Sequence, residues 1–348
     1  MKKFDYSFLD NGLLPANLVN LTSIIYSLKT GAQIRKDEYE KIFTELEKIA
    51  KVQSVKSSNA IEGIVTSDDR IKEIMNKSSE PLNHNELEIA GYRDALNEIH
   101  LNYENIEFNE ETILKLHQMV MLYTGNDQMG KYKTDNNLII EQDEEGNRKV
   151  RFKPVSAKET PKAMEQLVLA YMDASNNSNI NQLLLIPCVI LDFLCIHPFK
   201  DGNGRISRLL SLLLLYKNGF DAGKYISFEE QINNNKGYYY ETLKESSVSW
   251  DTNKNSYIPF IKNFLSTLYL CYKELDKRFN VVNSNKVTKK GRIEATVLNS
   301  LVAISKAEIC SILPDVSPTT VEAVLGNMVK ERRVRIIGSG KNTKYIKK

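Results

Sequence analysis

Cysteine and histidine are both scarce in this 348-residue chain, four of each, and neither is clustered. Cys188, Cys195, Cys271 and Cys310 stand singly in apolar stretches of helical periodicity, without the paired spacing of a disulfide framework or a zinc site. They read as reduced core residues. His84 lies in a polar stretch, His100 near a helix end and His117 within an amphipathic run, so His197 alone has a chemical setting. Long hydrophobic runs are missing too: Leu209 to Leu215 is far short of the ~18 residues that span a bilayer. The amino terminus, Met1-Lys2-Lys3-Phe4-Asp5, lacks the apolar stretch of a secretory signal. These absences argue against a membrane protein, a disulfide-stapled secreted domain and a zinc enzyme, and a cytoplasmic location is expected. With 42% hydrophobic and 26% charged residues, the chain can bury a sizeable core and is long enough for more than one domain.

What is present is a dense polar turn between two apolar stretches. Pro187 to Ile196 reads as a buried helix and Ile206 to Asn218, closed by Gly219, as a second. Between them runs His197-Pro198-Phe199-Lys200-Asp201-Gly202-Asn203-Gly204-Arg205-Ile206-Ser207-Arg208. Gly202 and Gly204 are expected to turn backbone N–H groups inward, and the following helix brings its positive dipole end to the same point, which suits phosphate. His197 titrates near neutrality and can take a proton from a hydroxyl. Asp201 is a hard oxygen ligand suited to Mg2+ beside phosphates. Asn203 can orient the loop and touch phosphate, and Arg205 and Arg208 offer planar forks for charge that develops in phosphoryl chemistry.

Every specified position of this string matches H-P-F-x-D/E-G-N-G-R-x-x-R, and it resembles the signature of the Fic family. The resemblance implies a mainly α fold, a Fic-type helical bundle with a β-hairpin flap. It also implies transfer of AMP from ATP to a Ser, Thr or Tyr hydroxyl of a target protein, self-modification included, with Mg2+ as cofactor and pyrophosphate released. His197 would be the base, Asp201 the Mg2+ ligand, Gly202, Asn203 and Gly204 the phosphate cradle, and Arg205 and Arg208 phosphate contacts. Doc kinases carry Lys where Gly204 stands and phosphocholine-transferring relatives depart from the final Arg, so the string favours AMP transfer.

Three further strings extend the resemblance. Ser58-Asn59-Ala60-Ile61-Glu62-Gly63 resembles the family's inhibitory motif, S/T-x-x-x-E-G/N. A carboxylate on a helix ending at Gly63 can pair with Arg208 and fill the place of the ATP γ-phosphate. Ser58, Glu62 and Gly63 would thus restrain the enzyme, and the same Glu62 could position a water that removes AMP again. Gly130 to Ile140 and Arg148 to Phe152 flank the polar stretch Glu141 to Asn147 and predict a hairpin. It resembles the flap that adds the target segment as a strand, with Asn137, Leu138, Ile139 and Ile140 nearest the nucleotide. Gly237-Tyr238-Tyr239-Tyr240 opens a predicted helix, and Tyr239 and Tyr240 match an adenine-side pair whose faces could sandwich a purine. Ser247 stands where some relatives have Asn.

Charge divides the chain. Residues 286–348 carry 13 Lys or Arg against 5 Asp or Glu, net +8, leaving 34 against 39, net −5, in the remainder. Predicted helices at about Ile293 to Val302, Lys306 to Leu313 and from the Ser317-Pro318 cap to Arg332, then a hairpin from Val334 to Ile346, look like a winged helix. Its third helix would enter a major groove while Arg332, Arg333, Arg335 and Lys341 meet phosphates, although the face Thr319, Thr320, Glu322, Ala323 and Asn327 offers few base-reading side chains. Protein docking or homodimerisation fits the same module. The expected organisation is an N-terminal helical region (1–110), a catalytic core (111–280) and the winged helix (286–348). A DNA-binding transcription regulator with a nucleotide-sensing core, and an enzyme that removes AMP or moves another nucleotide, stand as alternatives.

Overall fold

The computed structural model describes residues 2–142, 148–283, 288–298, 300, 303–313, 315–340 and 343–348. A short helix α1 (Phe8–Asn11) leads to α2 (Ala16–Glu38), α3 (Glu40–Ile61), α4 (Asp68–Met75), α5 (His84–Asn102) and α6 (Glu110–Met121). The hairpin β1 (Ile139–Gln142) and β2 (Arg148–Phe152) follows, then α7 (Thr160–Asn176), α8 (Gln182–Ile196), α9 (Asn203–Lys217), α10 (Phe228–Asn234), α11 (Lys236–Ser247) and α12 (Ile258–Asn283). The last unit is α13 (Lys289–Leu298), β3 (Ile304–Ser305), α14 (Lys306–Ile312), α15 (Pro318–Lys330), β4 (Val334–Ile337) and β5 (Lys344–Lys347). The fold is mainly helical, as the sequence predicts.

The centre is set by two helices that are buried along nearly their whole length. Every residue of α8 from Leu183 to Ile196 is buried, and α9 buries Ile206, Leu209, Leu210 and Leu212 to Leu215. A helix as apolar all round as α8 must be enclosed, and α7, α11, α12 and α5 pack about the pair. The one acid in α8, Asp192, accepts from the Tyr6 hydroxyl (2.8 Å), the Trp250 indole N–H (2.6 Å) and the Tyr257 hydroxyl (3.0 Å). Burial raises its pKa against these bonds and Lys2, and the contacts fasten both the amino-terminal segment and the turn before α12 to the core.

Several boundaries differ from the sequence reading. Helix α9 starts at Asn203 rather than Ile206, so Gly204 is helical and, of the two loop glycines, Gly202 alone, at φ 80°, uses the left-handed region. Helix α13 ends at Leu298 rather than near Val302, and β3, absent from the sequence reading, pairs antiparallel with β5 to make a three-stranded sheet ordered β3-β5-β4. The expected Ser317 cap is present: its side chain accepts from the Thr320 N–H at 3.2 Å. The polar turn at 143–147 and the proposed phosphate contact Lys341 lie outside the described residues.

Candidate active site

The site forms where α8 stops. The chain leaves α8 through His197 in the left-handed region (φ 52°) and re-enters a helix at Asn203. Asn203 closes the intervening loop with both ends of its amide: Oδ1 accepts from the Phe199 N–H (2.9 Å) and Nδ2 donates to the Phe199 carbonyl (2.8 Å). It is a buried clasp. Asp201 stays outside, its side chain 68% exposed, with Oδ1 accepting the Gly202 N–H at 2.5 Å.

His197 is held by one bond. Its Nδ1 lies 3.3 Å from the Leu194 carbonyl, which can only accept, so Nδ1 carries the proton and Nε2 keeps its lone pair. Burial lowers the imidazole pKa to about 4, outweighing the Leu194 bond, and Lys133 and Arg151 push the same way. The ring is a neutral base at neutral pH.

The Arg208 guanidinium is 2% exposed and carries three bonds: Nε to Ser58 Oγ (2.8 Å), and Nη2 to the Ser58 carbonyl (2.9 Å) and to Glu62 Oε1 (2.8 Å). Burial opposes its charge, but Glu62, ahead of Tyr92 and Tyr239, offsets this and raises its pKa. Local backbone chemistry delivers Glu62 there. Gly63 at φ 80° ends α3, its N–H donating to the Ala60 carbonyl (3.1 Å) and that of Ile64 to Asn59 (3.0 Å), the glycine-terminated helix end that leaves Glu62 as the capping residue. Gly204 makes room, since a Cβ there would stand 2.2 Å from Glu62 Oε1.

Between these groups lies a cavity of about 350 Å³, lined by Glu62, His197, Gly204 and Arg208, by Ile139, Ile140, Arg151 and Phe152 of the hairpin, and by Tyr239, Tyr240 and Ser247 of α11. The structure brings together most of the site residues expected from sequence, with corrections. Arg205 does not face the cavity: it is 1% exposed and ion-paired to Glu88 at 2.5 Å, with Asp201 at 3.6 Å, so it braces the loop from behind. Asn137 and Leu138 line a different cavity, together with Phe4, Lys153 and Trp250. Tyr239 and Tyr240 meet edge to face at 71°, which forms a corner and excludes a sandwich around one purine. Leu138 and Ile140 are the exposed apolar residues of the first flap run.

Sequence reasoning missed two positioning groups. Buried Lys133 donates to Asn137 Oδ1 (2.8 Å) and to the carbonyls of Ile196 (3.2 Å) and His197 (2.9 Å), and Asn137 Nδ2 donates to the Phe199 carbonyl (3.1 Å). The root of the hairpin is thus tied to the loop between α8 and α9, and burial lowers the Lys133 pKa to about 8. His117 stacks on Phe199 (3.8 Å, 4°), accepts the Gly130 N–H at Nδ1 (3.0 Å) and so donates from Nε2 to the Asp201 carbonyl (3.3 Å). No local pattern announces either role.

Asp201 fits Mg2+ chemically: an exposed hard-oxygen carboxylate, its main chain anchored by His117. Among the described residues no cluster of three or more His, Cys, Asp or Glu could hold a metal, so phosphate and water would have to complete the shell, the usual mode for this ion. In the C-terminal unit, Thr319, Glu322, Ala323 and Asn327 of α15 are exposed. Glu322 pairs with Lys306 (2.9 Å) and Arg333 with Glu294 (2.9 Å), so the charges of that face are partly spent internally. No helix of the described residues is long and apolar enough to cross a membrane.

Comparison with known proteins places this geometry in context. The Fic/DOC family pattern matches residues 107–215. A Fido domain-containing protein of Dictyostelium discoideum is 31% identical over 119 residues, which cover 32% of this chain and 83% of that protein. Protein adenylyltransferase fic-1 of Caenorhabditis elegans is 28% identical over 122 residues, 34% of this chain and only 22% of that longer protein. Among solved structures, a Fic family protein from Desulfovibrio desulfuricans G20 superposes with TM-score 0.63 at 19% identity over 97% of both chains, a likeness of fold.

Proposed function

The chain belongs to the Fic/DOC family, and on that premise we propose that it is a protein adenylyltransferase, moving AMP from Mg2+–ATP to a Ser, Thr or Tyr hydroxyl of a target protein and of itself, under restraint by Glu62. The name of the fic-1 relative supports the reaction class. The observation that carries the reading is the pairing, in one cavity, of a neutral imidazole with a free Nε2 and a buried arginine already gripping a carboxylate.

The chemistry follows from those groups. The target hydroxyl oxygen attacks the α-phosphorus while His197 Nε2 takes its proton; the bond to the bridging oxygen breaks and pyrophosphate leaves with the electron pair. Asp201 would hold Mg2+, which when bound supplies neutralisation of phosphate charge. Arg208 receives phosphate once Glu62 leaves; with Glu62 gone it is a buried cation short of a counter-charge, and an anion entering the cavity repairs that deficit. The exposed edge of the hairpin, with Leu138 and Ile140 outward, suits docking of an extended target segment.

Labelled ATP tests the proposal. Wild type should label itself weakly, Glu62→Gly strongly and His197→Ala not at all; equal labelling of the three would refute it. The mass added to the modified residue separates AMP from any other nucleotide, and loss of label over time in wild type but not in Glu62→Gly would reveal AMP removal. A second reading, DNA binding, is favoured by the net +8 of residues 286–348 and their helix–strand–helix–helix–hairpin order, which we read as a winged helix. It requires salt-sensitive duplex binding that deletion of those residues abolishes.

A further inference from the structure

The flap carries an arginine whose placement the reaction described so far does not use. The hairpin register shifts at its root: Ile140 pairs with Val150 and Ile139 with Phe152, which leaves Arg151 as the extra residue of a β-bulge. In a regular strand successive side chains face opposite ways, whereas a bulge re-aims one of them. Arg151 and Phe152 accordingly both line the candidate nucleotide cavity, as do Ile139 and Ile140 across from them. The Arg151 Nε is shut off from water and has no hydrogen-bond partner among the described residues. Its charge reaches His197, Tyr239 and Tyr240, whose titration it influences. Arg208, which lines the same cavity, by contrast already donates from Nε and Nη2 to Ser58 and Glu62.

A half-buried arginine whose Nε donor is shut off from water and unfilled, turned by an irregular backbone into a cavity beside a neutral base, is a receptor awaiting an anion. We propose that Arg151 is a phosphate-binding residue of the flap: it grips the nucleotide phosphates from the side opposite Arg208 and so fastens the hairpin to the bound nucleotide. This deepens the adenylyltransferase reading and rests on it. Because β1 and β2 are two short strands joined to the core by the Lys133–Asn137 root and the exposed Lys244–Glu141 pair (2.8 Å), a contact from Arg151 to phosphate ties flap order to nucleotide occupancy. The nucleotide therefore binds before the target segment, which adds to a flap already set.

The test titrates ATP with Mg2+, and separately adenosine, into the full chain carrying Glu62→Gly, alone and combined with Arg151→Gln or Arg151→Lys. Arg151→Gln should weaken ATP about 10-fold or more, the size expected for a charge-assisted bond, and leave adenosine binding unchanged. Arg151→Lys should recover part of the loss, keeping charge without the fork. ATP should slow amide exchange in Ile139–Gln142 and Arg148–Phe152 in the Glu62→Gly protein but not in the Arg151→Gln double variant. Unchanged ATP affinity, or equal losses for ATP and adenosine, would overturn the inference while leaving the enzyme assignment standing. Failure of the Glu62→Gly protein itself to bind ATP would overturn that assignment, and this inference with it.

Discussion

At the scale of the residue, the site depends on burial setting protonation before any substrate arrives. His197 titrates at about 4 in the folded chain and Lys133 at about 8, both lowered by desolvation. A base with that pKa is already deprotonated across the neutral range, so kcat of the Glu62→Gly protein should hold level from about pH 5 to 7.5, with its acid limb near 4 rather than near the ordinary histidine value of about 6.5. A limb at 6.5 would mean that the ring is solvated. The same shifts bear on stability. His100, His117 and His197 all have folded pKa values of about 4, below their unfolded value, so the unfolded state binds protons first as pH falls. Their contribution is present above about 6.5 and is lost on acidification toward 4; melting temperature should fall through that window. Lys133 makes a separate case. It touches neither cavity nor nucleotide, yet it holds the His197 and Ile196 carbonyls and the flap root. Lys133→Met should therefore lower kcat by about 10- to 100-fold, the cost of a slightly misplaced reacting group, with KM for ATP little changed. A loss confined to KM would remove it from the positioning role.

At the scale of the element, α3 works as a lever whose tip is Glu62. It is pinned along its length: the buried Ser54 hydroxyl donates to Ser227 Oγ (2.9 Å), which donates to Glu229 (3.3 Å), and Tyr92 donates to the same carboxyl (3.0 Å). Its end depends on Gly63 in the left-handed region, where a Cβ costs about 1–2 kcal/mol. Gly63→Ala has open space around the new methyl, so any effect arises from backbone strain. It should unwind the last turn, withdraw Glu62 from Arg208 and raise self-labelling severalfold with a small loss of thermal stability. Unchanged labelling alongside a lowered melting temperature would separate helix strain from restraint. What was legible in the sequence follows element type. The loop between α8 and α9 was readable because His, Asp, Gly, Asn and Arg crowd twelve consecutive positions between apolar runs, and α3 was readable up to its terminal glycine. The helical start at Asn203 was not, because Gly202 caps the helix by conformation rather than by side chain. Arg205 looked like a phosphate contact because its partner, Glu88, lies more than a hundred residues away and only tertiary packing pairs them. Arg151 was hidden by a register shift that no local pattern of side chains encodes.

At the scale of the whole molecule, the basic C-terminal unit and α3, which carries Glu62 at its end, are neighbours. Helix α14 packs on α3, and α13 contacts α12, whose other flank meets α2 and α8. Helix α3 is therefore held on one side by α10 and α5 and on another by the terminal unit. A two-sided grip matters because the Glu62–Arg208 pair is a single contact at the lever's tip, and its lifetime depends on how rigidly α3 is seated. Removing residues 286–348 would bare the flank of α3 that α14 covers and let the helix shift, so the truncated chain should label itself more strongly than full-length protein. The strength of the argument lies in its epistasis. If truncation acts through α3, it should add nothing to the Glu62→Gly protein, in which restraint is already gone, whereas a tail that recruits target or nucleotide would alter both backgrounds alike. A double comparison of labelling rates, full-length and truncated, with and without Glu62, decides between these. The same four proteins, mixed with a short duplex at low and high salt, show whether anything that loads the terminal unit is transmitted to the lever.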